Sequence, residues 1–232
     1  MADSYRLKGL RIQLVRELQK KGINDPRILK AFEEIPRHFF LEKAFSDWAY
    51  KDIPFPIESD QTISQPYTVA YQTDLLDVQK GDRVLEIGTG SGFQACVLAH
   101  MGAKVYTVER QEKLFVKTKE LLEKIGFSQI RNFYGDGYKG APRFAPFDKI
   151  LVTAGAESIP KTLLDQLAIG GTMVIPVGEG DTQIMTRIKR ISADKFAQEK
   201  LSSCRFVPFL PGLQSKHSAI NVPVQNVTRV SL

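Results

Sequence analysis

Residues 84–92 read VLEIGTGSG, an apolar run carrying Glu86 and then glycines at Gly88, Gly90 and Gly92. Glycines at alternate positions allow a turn tight enough for the backbone to approach a ligand with no Cβ in the way. A helix-like stretch follows, and a second apolar run, KVYTVE, ends in Glu109, 21 residues after Gly88. A carboxylate about 20 residues beyond a glycine turn is placed to accept ribose hydroxyls. Such a unit binds a nucleotide-sized ligand at the carboxyl end of the first strand of a parallel sheet. A dinucleotide turn wants G-x-G-x-x-G, and the position of its third glycine is held by Phe93. The spacing is G-x-G-x-G, which speaks against an NAD-dependent oxidoreductase.

A sheet must hold these groups in place. Apolar runs suggest strands at 83–88, 104–109, 130–135, 147–153, 172–178, 182–191 and 201–209, with helices at 92–101, 111–125 and 159–168. Strand–helix alternation argues for a parallel sheet covered on both faces. The last two strands follow each other with only ADKFAQEK between them and should form an antiparallel hairpin at the sheet edge. The expected fold is thus α/β: a seven-stranded, mostly parallel, doubly wound sheet with an antiparallel C-terminal hairpin and an N-terminal helical appendage. The appendage reads as a helix over 3–21, a second from Asp25 and Pro26 to Glu34, and a segment interrupted by Pro54, Pro56 and Pro66 that should be a shaped loop. A helix from Thr68 to Leu76 leads into the core. The implied organisation is 1–67 as helical segment and loop, 68–212 as the ligand-binding domain, and 213–232 as a tail that could add a strand, mediate self-association or lack order.

The chain has 232 residues, enough for one large α/β domain with a small appendage. No apolar run approaches the roughly 18 residues of a membrane span, and the first residues lack a signal-peptide core, so a cytoplasmic protein is expected. Cys96 and Cys204 have no metal-type spacing and read as free thiols. A net charge of +6 raises the question of nucleic acid, but the basic residues are scattered and read as a solvated surface. No metal, no specific nucleic acid and no membrane partner is expected, and a monomer is favoured.

The glycine spacing resembles the S-adenosyl-L-methionine loop of class I methyltransferases, whose seven-stranded architecture also ends in a hairpin. That resemblance implies that backbone N–H groups at the helix start near Gly92 face the cofactor's methionine carboxylate. Glu86 could accept from the cofactor's ammonium or from loop amides. Asp136 and Gly137, in YGDGY, match the position that contacts the adenine end, although an Asx turn explains an Asp before Gly equally well. Thr153, ending the fourth strand, is a further candidate. Base-amino methyltransferases often carry an Asn/Asp-Pro-Pro-aromatic motif after that strand. Here Thr153-Ala154-Gly155-Ala156 stands there, with no aromatic to stack on a base.

The segments QTISQPY, VLEIGTGSG, GDG, FDKILVTA, IPVG and RFVPFLPG occur in order between about residues 5 and 212. Together they resemble the protein-L-isoaspartate O-methyltransferase family. The resemblance implies isoaspartyl-containing proteins and peptides as substrates and S-adenosyl-L-homocysteine as product. The acceptor would be an α-carboxylate, ionised above a pKa of about 3.5 and needing no general base. Ser64 matches the family's active-site serine, suited to donate a hydrogen bond to that carboxylate rather than to attack. Thr62, Ile63 and Gln65 would shape the same pocket. Arg205 to Pro208, including Val207, would either offer backbone groups to an extended peptide or end a core strand. Two alternatives stay open: a class I methyltransferase acting on RNA or a small molecule, and a non-catalytic cofactor-binding scaffold.

Overall fold

A computed structural model describes residues 3–215. The chain opens with α1 (Tyr5–Lys20), capped by Ser4, and α2 (Pro26–Glu34). Asp25 caps α2 as its sequence suggests, its carboxylate accepting from the Arg27 N–H at 2.8 Å with Pro26 in the first turn. Two 3-10 turns, Arg37–Phe40 and Lys43–Tyr50, lead to a small ribbon of β1 (Phe55–Pro56) and β2 (Thr62–Ile63). This ribbon is what the Pro-interrupted loop becomes. Its tip, Ser59 and Asp60, lies in the left-handed region at φ 60° and 54°. Helix α3 (Pro66–Leu76) begins two residues earlier than expected because Pro66 serves as its first-turn proline.

The main sheet contains β3 (Arg83–Ile87), β4 (Lys104–Glu109), β5 (Arg131–Tyr134), β6 (Phe147–Val152), β7 (Leu167–Val177), β8 (Gln183–Arg190) and β9 (Phe196–Cys204). Their order is β5-β4-β3-β6-β7-β8-β9, parallel through β7 and antiparallel from β7 to β9. Helices α4 (Phe93–His100), α5 (Glu112–Lys124) and α6 (Lys161–Gln166) provide the crossovers. Strand order reverses at β3, which pairs with β4 on one side and β6 on the other. Ligands of open α/β sheets bind in the crevice that such a switch opens at the strands' carboxyl ends.

The last strand is displaced from its expected place. Phe196 to Lys200, read as part of the connection, pair with Arg190 to Thr186 of β8, so the turn is only 191–195. Residues 205–212 leave the sheet instead. An edge strand with mostly exposed side chains lacks the apolar run that marks a buried one. β7 likewise starts five residues early, taking Leu167 and Ala168 from the expected end of α6. One large apolar cluster joins Leu14, Leu18, Phe32 and Phe40 of the N-terminal segment to Phe93 and Leu98 of α4. Of the tail, Gln214 forms a parallel bridge with Gln111; 216–232 lie outside the described residues.

Candidate active site

Above the β3 switch point lies a cavity of about 390 Å³, lined by Ile63, Ser64, Gly88, Gly90, Glu109, Gly137, Thr153 and Val207 among others. Small-ligand sites run from about 300 to 1,000 Å³. One wall is the glycine turn. Gly88, Gly90 and Gly92 all have positive φ, at 95°, 51° and 86°. A Cβ on Gly88 would sit 2.5 Å from Thr153 Oγ1, and one on Gly92 would sit 2.7 Å from Thr118 Cγ2. A Cβ on Gly90 would meet nothing within 4 Å, so that glycine faces open space beside the cavity wall.

The turn is held from three sides. Thr153 donates to the carbonyls of Ile87 and Gly88, at 2.9 and 2.8 Å, and Thr118 donates to the Gly90 carbonyl at 2.7 Å. Glu109, 4% exposed at the end of β4, accepts from the N–H groups of Gly90 and Gln111, both at 2.8 Å. Burial raises its pKa, and those two backbone donors oppose the rise. It makes no ion pair with Arg110, whose guanidinium instead donates to the carbonyls of Pro211 and Gly212. Glu109 keeps lone pairs for a ligand.

The other predicted positions separate. Glu86 is fully buried behind the turn and does not line the cavity; Thr107 Oγ1 donates to its Oε2 at 2.6 Å, and its Oε1 has no partner among the described residues. Burial pushes its pKa up to about 8. Asp136 also lies outside the lining, its carboxylate accepting from the Tyr138 N–H at 3.0 Å as an Asx turn would, while Gly137 reaches the cavity between Ile87 and Phe209. Ser64 lines the cavity with its hydroxyl unpartnered among the described residues, its carbonyl accepting from Arg37 Nη2 at 2.7 Å. Thr62 and Gln65 flank it on the same wall, Gln65 donating to Asp52. Val207 gives its carbonyl to the Gly155 N–H at 2.8 Å, so that side of the 205–212 segment is already paired.

Sequence reasoning missed several contributors. Thr89, buried in the turn, contacts Thr107 Oγ1 at 2.7 Å and Asn132 Oδ1 at 3.3 Å. Gln94 lines the cavity, donates to Thr73, and leaves its Oε1 buried and unpartnered among the described residues. Gln183 donates to the Gly180 carbonyl while its Oε1 accepts from the Phe206 N–H, steadying the 205–212 segment. Thr89 stands inside the glycine motif and Gln94 two residues after it, whereas Gln183 adjoins no recognisable motif. A glycine cradle open at Gly90 and a buried carboxylate with free lone pairs together suit a nucleoside bearing an amino acid.

A doubly wound sheet ending in an antiparallel pair, with this turn at its switch point, defines a class I methyltransferase fold. The family described as protein-L-isoaspartate(D-aspartate) O-methyltransferase (PCMT) matches residues 10–214. A protein-L-isoaspartate O-methyltransferase of Flavobacterium psychrophilum is 57% identical over 210 residues, covering 90% of this chain and 98% of that one. Its counterpart in Christiangramia forsetii is 54% identical with the same coverage. A solved protein-L-isoaspartate O-methyltransferase superposes with a TM-score of 0.80 at 32% identity, over 88% of this chain and 67% of that one. The chain belongs to the protein-L-isoaspartate(D-aspartate) O-methyltransferase family. No helix among the described residues is long and apolar enough to cross a membrane.

Proposed function

We propose that the protein methylates the free α-carboxylate of L-isoaspartyl residues in damaged proteins and peptides, with S-adenosyl-L-methionine as donor. The observation that carries the reading is one cavity shared by the glycine turn and a serine hydroxyl with no partner among the described residues. Bound S-adenosyl-L-methionine supplies a methyl group on a sulfonium leaving group. Glu109 would accept its ribose hydroxyls on the lone pairs that Gly90 and Gln111 leave free, and the first-turn N–H groups of α4 would face its carboxylate.

Ser64 donates a hydrogen bond to one oxygen of the substrate carboxylate and holds the other for in-line attack. An O–CH₃ bond forms as the S–CH₃ bond breaks, and both electrons of the broken bond leave with sulfur. The acceptor is ionised at neutral pH, so no proton moves and no general base is needed. Alignment and exclusion of water carry the rate. The methyl ester then closes to a succinimide, which partly reopens to normal aspartate.

The test uses labelled S-adenosyl-L-methionine and two peptides differing only in Asp or isoaspartate at one position. Label is expected in the isoaspartyl peptide alone. Equal labelling of both, or of neither, overturns the reading.

A further inference from the structure

Arg37 stands in the first 3-10 turn, in the N-terminal segment, and is 2% exposed. Its Nη2 donates to the Ser64 carbonyl at 2.7 Å, while Nε and Nη1 are buried without hydrogen-bond partners among the described residues. Its guanidinium carbon lies 4.7 Å from the centre of the Phe93 ring, the residue that opens α4 directly after Gly92. One side chain therefore touches both the serine segment and the helix that follows the glycine turn. Asp52, also from the N-terminal segment, fixes the next residues: its Oδ1 accepts from the Tyr67 N–H at 2.7 Å, and its main-chain carbonyl accepts from Gln65 Nε2 at 3.0 Å. Lys21 pairs with the outer oxygen of Asp52.

This is an expensive way to pack a core. A guanidinium carries five N–H donors, and burying it with most of them unsatisfied opposes folding. An apolar side chain of similar volume would fill the space at no such cost. What it could not do is hold a main-chain carbonyl while placing a cation over the Phe93 ring.

We infer that Arg37 is a positioning residue: it fixes the Ser64 main chain against the start of α4, so that the serine hydroxyl keeps one place relative to the glycine turn. This rests on the reading of Ser64 as donor to the substrate carboxylate. Misplacing a reacting group by about 1 Å can cost about 100-fold in rate.

The experiment compares Arg37→Met, Arg37→Lys, Ser64→Ala and the Arg37→Met/Ser64→Ala double variant, with kcat and KM for an isoaspartyl peptide, cofactor affinity and Tm measured for each. Arg37→Met is expected to lower kcat about 10- to 100-fold, with cofactor affinity unchanged and Tm equal or higher. Arg37→Lys, which keeps a donor, should recover much of the loss, and Arg37→Met should add nothing once Ser64 is alanine. Parent-like kcat in Arg37→Met overturns the inference. So does a loss of the same size in the Ser64→Ala background, or a joint collapse of kcat, cofactor affinity and Tm in both Arg37 variants. Parent-like kcat in Ser64→Ala alone would instead sink the reading of Ser64, and this inference with it.

Discussion

Among the described residues, Ser64 has a carbonyl that is held and a hydroxyl that is not. That division suits a group whose hydroxyl is completed only by substrate. Ser64→Ala is therefore expected to lower kcat for an isoaspartyl peptide by about 100-fold, the usual cost of losing one donor to a reacting oxygen. Cofactor affinity, measured by calorimetric titration, should not change; a collapse of that affinity would move Ser64 into the cofactor's contacts. Glu86 makes the opposite case, a buried carboxyl outside the cavity lining. Burial raises its pKa to about 8 in the folded chain, whereas an unfolded glutamate titrates near about 4.3. Between those values the unfolded chain gives up a proton that the folded chain retains, so stability falls as pH rises through that window. Each pH unit of that mismatch is worth about 1.4 kcal/mol. Glu86→Gln should remove this dependence, so that its stability relative to the parent improves steadily from pH 5 to 8 in urea titrations. Parallel curves for the two proteins would show that Glu86 ionises normally.

At the scale of elements, the glycine turn separates two demands that its sequence blends. A side chain at Gly88 meets Thr153 at 2.5 Å with φ at 95°, so Gly88→Ala should lower both Tm and cofactor affinity. At Gly90 the φ of 51° is a left-handed value that alanine adopts at a cost of about 1–2 kcal/mol, and the methyl group meets open space. Gly90→Ala should therefore lower Tm by only about 2–8 °C while losing cofactor affinity, and unchanged affinity would place the ligand elsewhere. The turn was legible because its demands are local: three glycines, an apolar strand before them and a carboxylate after the next strand. The buried strands β3, β4 and β6 were legible for the same reason. β9 was not, because an edge strand with polar side chains on both faces carries no apolar period. Arg37 was hidden differently. It acts on a main-chain carbonyl 27 residues away, and a carbonyl leaves no mark on residue type. Asp52 and Gln183 escape notice because they too act on main-chain groups, the N–H of Tyr67 and of Phe206. Asp136 was legible as an acid before a glycine, and its carboxylate serves the Asx turn that this pattern also allows.

At the scale of the whole molecule, the N-terminal segment and the sheet domain share one apolar interior. Phe93 packs edge-on against Phe32 and Phe40, with ring centres 5.4 and 5.3 Å apart, and it sits at the start of the helix that follows the glycine turn. A ligand that fixes this turn should therefore stabilise both parts together, and heating should melt them in one transition. At a cofactor concentration 100 times its dissociation constant, binding to the folded state alone adds about 2.7 kcal/mol. For a chain of this size each kcal/mol raises Tm by about 2–4 °C, so a shift of roughly 5–10 °C is expected from S-adenosyl-L-homocysteine in differential scanning calorimetry. Ser64→Ala should show the same shift, and Gly90→Ala should lose most of it at the same concentration. If instead one of two resolved transitions moved and the other stayed, the N-terminal segment would fold apart from the sheet. The clamp that Arg37 places between Ser64 and Phe93 could not then be rigid.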